Sequence, residues 1–292
     1  MYREFDKNQL ETQYSPSSCV DDIMVYINQY IHSSANNLDV AKVQDAVLEN
    51  IAYGEDEDER IDLFLPFADT RWQKKLQVYI HGGYWQELSK NESSFAANNF
   101  QSHGCHFAVV NYSLAPKANM SEIVEQNRQA LVYLYRNAER LGYNKEEIYL
   151  SGSSAGGHLC LMMALSDWRQ YGEDLPADLV KGVCAVSGVY DLEPIALTYV
   201  NNPLNLSANE IRQFSPLRHI TQPLCPMILA FGDNETSEFK RHSLEMLEAI
   251  EKVQGETPFA EIHGRNHFNV ILDLGDRDTW LFKQVAVQMG LF

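Results

Sequence analysis

The 292-residue sequence predicts an α/β fold: a mostly parallel central sheet with helices on both faces. Three observations lead there. Short apolar runs of strand length alternate along the chain with longer stretches of helical periodicity. Several of the runs are apolar throughout, as befits strands buried on both faces. The chemically suggestive residue clusters fall just after strands, where the ligand sites of such sheets lie.

The elements follow in chain order. Arg60-Ile61-Asp62-Leu63-Phe64-Leu65-Pro66 begins with the alternation of a half-buried strand, and Leu76–Ile80 repeats it. Phe107–Val110 is an apolar run. Ser121 is expected to cap a helix whose apolar positions Ile123, Val124, Leu131, Leu134 and Tyr135 recur at helical spacing, and Gly142 to end it. Ile148–Leu150 reads as a strand, with a helix starting near Ala155. Val183–Val186 and Met227–Phe231 are further strands, the second followed by a helix over 238–253. A short strand near Phe259–Ile262 and a helix near 278–289 complete the pattern. Residues 1–292 are expected to form one domain, with 1–50 a helical segment packed near the active site.

Gly152-Ser153-Ser154-Ala155-Gly156 sits between a strand and a helix and matches G-x-S-x-G. A serine on so tight a turn needs small residues two before and two after it. The helix that follows aims its first N–H groups at developing negative charge. This pattern points to the α/β-hydrolase fold, with Ser154 as nucleophile. Ser153 occupies the variable position of the motif, and His158, in the first turns of the helix, reads as a packing residue. His81-Gly82-Gly83 follows a strand and suits an oxyanion loop, with the N–H groups of Gly82, Gly83 and Ala155 as donors. Tyr84 and Trp85 flank that loop and are candidate walls for an aryl substrate.

In this fold the acid and then the histidine follow the serine. His267, in the loop after the last strand, is the expected base. His263 ends the strand and His242 falls inside a helix, where exposure is expected. Gly264 breaks the helical spacing that a His263/His267 metal pair would need. For the acid, Gly232-Asp233-Asn234-Glu235 offers Asp233 and Glu235, and spacing alone leaves the choice open.

Composition narrows the partners. A net charge of −17 disfavours nucleic acid and anionic membrane surfaces. No stretch approaches the ~18 apolar residues of a membrane span, and the amino-terminal residues lack the apolar core of a secretory signal. Five cysteines without a Cys-x-x-Cys pair read as free thiols, so a cytoplasmic location is expected. The acidic run Glu55–Glu59 lacks the spacing of a calcium loop and reads as solvated. No metal or organic cofactor is implied. The partner is a small molecule, and a homodimer is left open.

His81-Gly82-Gly83-Tyr84-Trp85-Gln86 resembles the signature of the kynurenine formamidases, a branch of the hormone-sensitive-lipase-like α/β hydrolases. Asn111-Tyr112-Ser113-Leu114-Ala115-Pro116, Gln13-Tyr14-Ser15-Pro16, Tyr53-Gly54, Ser187–Leu192 and Ser237-Glu238-Phe239 are similar to segments of the same group, so the resemblance spans nearly the whole chain. It implies Ser154 as nucleophile and His267 as base. It moves the acid to Glu235, with Asp233 as the alternative, because the usual Gly-x-x-Asp becomes Gly232-Asp233-Asn234-Glu235. The implied reaction converts N-formylkynurenine to kynurenine and formate. The rival readings are a carboxylesterase for short acyl esters and, more remotely, a binding protein that has kept the fold without the chemistry. Asp191 is expected to cap the following helix in preference to meeting a substrate ammonium.

Overall fold

The computed structural model describes residues 2–291. Among them, eight strands form one sheet: β1 (Val47–Ala52), β2 (Arg60–Phe64), β3 (Leu76–Ile80), β4 (His106–Val110), β5 (Ile148–Ser153), β6 (Gly182–Val186), β7 (Met227–Asn234) and β8 (Phe259–Asn266). The spatial order is β1-β2-β4-β3-β5-β6-β7-β8. Strand β2 runs antiparallel to β1 and β4, and the pairs from β4 through β8 are parallel. The order reverses direction at β3, and the loops leaving β3 and β5 meet beside that point, where open α/β sheets place their crevice.

The helices are α1 (Lys7–Gln13), α2 (Met24–Val43), α3 (Ala97–Ser102), α4 (Met120–Leu141), α5 (Ala155–Ala164), α6 (Asn201–Leu204), α7 (Ala208–Gln213), α8 (Ser237–Gln254) and α9 (Trp280–Gln288). Alternation along the strands divides the core into two layers. On β3, Leu76, Val78 and Ile80 face a layer that includes Leu131 and Leu134 of α4, Leu159 of α5 and Met246 of α8. Tyr79 faces the other layer, with Phe100 of α3, Tyr30 of α2 and Phe282 of α9.

Helix α4 begins two residues earlier than Ser121 would set it. Asn119 is the cap: its side chain accepts from the Glu122 N–H at 3.0 Å, and the Glu122 carboxylate accepts from the Asn119 N–H at 2.8 Å. That reciprocal box satisfies two otherwise orphaned N–H groups, which a lone serine at 121 would not do. Gly142 ends the helix in the left-handed conformation, as expected. The acidic run is tied down as well as solvated, because Lys117 Nζ reaches Asp56 at 2.8 Å and Asp58 at 2.7 Å. Among the described residues no helix is long and apolar enough to cross a membrane. The five cysteines are free.

Candidate active site

Ser154 stands between β5 and α5 with φ 57° and ψ −120°, a left-handed conformation that costs a non-glycine residue about 1–3 kcal/mol. Its surroundings hold it there. The Ser154 N–H donates to the Val186 carbonyl on β6 at 2.9 Å, and its carbonyl accepts from the His158 N–H at 3.1 Å. The turn is tight enough that Gly156 is obligatory: a Cβ there would lie 2.0 Å from the Ile80 carbonyl oxygen. The hydroxyl is consequently presented at the carboxyl end of the sheet, at the start of a helix.

The loop after β3 lies against this turn. A Cβ on Gly82 would sit 2.8 Å from the Ser153 carbonyl and 3.4 Å from Ser154 Cβ, so only glycine lets the two segments approach this closely. His81 anchors the loop from beneath. Its Nδ1–H donates to the Gly82 carbonyl at 2.9 Å, its ring stacks on Tyr112 at 4.2 Å, and Tyr112 donates to the His81 carbonyl at 2.8 Å. Burial holds His81 neutral by pushing its pKa down to about 4. Among the described residues, the N–H groups of Gly82, Gly83 and Ala155 donate to no protein acceptor. Free backbone N–H groups close to a serine side chain are the kind of donor that can stabilise an oxyanion in acyl transfer.

His267 leaves the end of β8. A register shift between β7 and β8 spans the positions where Gly232 faces Ile262 and Asn234 faces Asn266, so β8 carries extra length just before the histidine. Asn266 closes the turn by accepting from the Phe268 and Asn269 N–H groups at 3.0 and 3.1 Å. The imidazole packs on Phe239 of α8, ring centroids 4.3 Å apart. Its Nδ1–H donates to Glu235 Oε2 at 2.8 Å, which leaves Nε2 as the acceptor nitrogen. The other carboxylate oxygen of Glu235 accepts from the Ser187 hydroxyl at 2.6 Å and the Gly232 N–H at 2.7 Å. Ser154, His267 and Glu235 are each less than a tenth exposed, where such charge-assisted bonds are strong.

Asp233, the other carboxylate the sequence offered, faces away from His267. It accepts from His263 Nδ1 at 2.6 Å and the Gly264 N–H at 2.9 Å, and the second of these holds its carboxyl below the usual range. His242 is fully buried instead of exposed, because α8 turns that face toward Tyr14. His158 is a packing residue: Nε2 donates to the Phe214 carbonyl at 2.7 Å, and burial lowers its pKa to about 4. Asp191 caps no helix; it accepts from the Glu193 N–H at 3.2 Å and pairs with Arg218 at 3.1 Å.

Ser154 and His267 line one cavity of about 250 Å³. Its walls include Tyr84, Tyr79, Gln86 and Leu88 from the sheet side and Pro16, Ile23, Ile27 and Tyr30 from the amino-terminal segment. Tyr84 therefore lines the cavity. Trp85 does not: it is fully buried behind the loop, edge-on to His158 at 5.0 Å, and is not among the lining residues. Adjacent loop residues pointing opposite ways explain the split. Sequence reading missed Ser187 and Tyr30. Ser187 was visible as the polar residue that ends the β6 run. Tyr30, whose hydroxyl donates to the Phe268 carbonyl, gave no local signal because its partner lies 238 positions away. Among the described residues no group of three or more His, Cys, Asp or Glu side chains is arranged to hold a metal ion.

The chain matches the model of the BD-FAE family over residues 61–250. It is 33% identical to the kynurenine formamidase of Danio rerio over 299 aligned positions, covering 99% of this chain and 98% of that one. The kynurenine formamidase of Salmo salar is likewise 33% identical, with the same coverage. A crystal structure of a candidate thioesterase from a Silicibacter species superposes with a TM-score of 0.80 at 26% identity, covering 94% of this chain and 98% of the other.

Proposed function

This chain belongs to the BD-FAE family, as an α/β hydrolase of the kynurenine formamidase type, and on that premise we propose that it removes a formyl group from an aryl formamide, N-formylkynurenine, through Ser154, His267 and Glu235. The observation that carries the reading is the likeness to formamidases over the whole length of a chain whose Ser154, His267, Gly82 and Gly83 border one cavity.

The chemistry follows from those atoms. His267 Nε2 takes the Ser154 proton as Oγ attacks the formyl carbon. The carbonyl electrons move onto oxygen, and the N–H groups of Gly82, Gly83 and Ala155 stabilise the resulting oxyanion; each such donor contributes about 3 kcal/mol to the transition state. Collapse breaks the C–N bond, and His267 delivers its proton to the departing arylamine. Water then attacks the formyl-serine with His267 again as base, releasing formate and restoring Ser154. Glu235 keeps the proton on Nδ1 and stabilises the imidazolium while it exists.

The test is product analysis. The purified protein should release kynurenine and formate from N-formyl-L-kynurenine in equal amounts, and Ser154→Ala should do so at least about 10⁴-fold more slowly. Wild-type activity in Ser154→Ala would remove the serine from the mechanism.

A further inference from the structure

The residues just described leave unexplained a buried polar cluster on the far side of the cavity wall. Tyr14 is fully buried, and its hydroxyl lies 2.8 Å from Glu238 Oε2, 2.8 Å from His242 Nε2 and 3.2 Å from Arg241 Nη2. The proton positions are determined by what surrounds them. His242 Nδ1 accepts from the Tyr190 and Asp191 N–H groups at 3.1 and 3.3 Å, so its ring proton is on Nε2 and points at the Tyr14 oxygen. The Tyr14 hydroxyl proton is then donated to Glu238. One residue earlier, the Gln13 carbonyl accepts from Thr236 Oγ1 at 2.6 Å, and Thr236 directly follows Glu235. The segment is thus riveted to the start of α8, next to the carboxylate that holds His267.

The backbone of Tyr14 holds residues of the cavity wall. Its carbonyl accepts the Tyr84 hydroxyl at 2.7 Å, and Ser15 shares a 2.9 Å hydroxyl contact with Tyr199. Tyr84 and Tyr199 both line the cavity, and Tyr84 follows the glycine pair in a left-handed conformation of φ 51°. A formyl or acetyl group fills only one or two carbons beside Ser154. The rest of the cavity must therefore hold the leaving group.

We infer that Tyr14 is a positioning residue for leaving-group selection: anchored by its hydroxyl to α8, it fixes through its carbonyl the Tyr84 ring that a flat aromatic leaving group packs against. The inference rests on reading the cavity as the substrate site of a serine hydrolase. It does not depend on formyl being the acyl group.

The experiment holds the acyl group constant and varies what leaves. For the wild type, Tyr14→Phe, Tyr84→Phe and the double variant, kcat and KM are measured on 1-naphthyl acetate and methyl acetate, with thermal midpoints alongside. The naphthyl-to-methyl ratio of kcat/KM should fall at least about fivefold in each single variant, through a higher naphthyl KM. The double variant should fall no further, because both changes break one link. An unchanged ratio, or equal losses on both esters that track a lower thermal midpoint, would reduce Tyr14 to a structural role and overturn the inference. If Tyr14→Phe does not fold, Tyr84→Phe and Tyr199→Phe carry the same comparison with the anchor intact. Failure of the underlying reading looks different: Ser154→Ala would hydrolyse both esters like the wild type.

Discussion

Two carboxylates separated by one residue have different partners, and side-chain direction alone sorts them. Asp233 leaves β7 toward the exposed His263, whereas Glu235 turns inward to His267 and Ser187. Glu235→Gln should therefore lower kcat by about 10³-fold or more, because an amide no longer holds the imidazolium and can favour the wrong tautomer. Asp233→Asn should change kcat less than about threefold. Steady-state kinetics on the two variants checks both, and a reversed order would reassign the acid. The same scale limits what sequence discloses. Ser154 and His267 were legible because a spaced motif and a fixed chain order identify them. The choice between Asp233 and Glu235 needed a family resemblance, since the two would share a face of a regular strand, and only the end of β7 at Asn234 and the register shift beside it send them to different partners.

At the scale of elements, the parallel strands and the long helices α4 and α8 were readable from periodicity, with boundaries displaced by a few residues at most. Strand β1 was not. It pairs antiparallel at the sheet edge, is largely exposed, and carries an irregularity between Leu48 and Ile51 that blurs the alternation a reader would look for. The short helices α6 and α7 escaped for a similar reason, having too few turns to display a period. Helix α2 shows what matters functionally in an element whose apolar face is weakly marked. Its Tyr30 reaches the carbonyl next to His267, and its Tyr26 stacks on Phe268 at 5.8 Å, so α2 supports the loop that carries His267. Such long-range closure is a property of packing, and no window of sequence contains it.

At the scale of the whole molecule, the fold keeps several histidines neutral in its interior. Burial lowers His81, His106 and His158 to about 4 and pushes His242 well below its usual value. An unfolded histidine titrates near 6.5. Below that pH the unfolded chain gains protons that the folded chain refuses, so the stability these groups contribute is complete above about 6.5 and is lost as pH falls toward about 4. Each histidine costs on the order of 1 kcal/mol per pH unit within that window. The urea midpoint should fall steadily between pH 7 and pH 5, and a midpoint that held constant or rose would mean these rings are charged in the folded protein. The acidic surface and the neutral interior are thus separate features: the first bears on partners, the second on stability.

The most direct test of the central claim compares two substrates on one enzyme preparation. We predict that kcat/KM for N-formyl-L-kynurenine exceeds that for p-nitrophenyl acetate by at least about 100-fold, or about 2.7 kcal/mol of differential transition-state binding. Hydrolysis of the ester alone, with no release of kynurenine from the formamide, would contradict the formamidase assignment while leaving a serine esterase on the same residues.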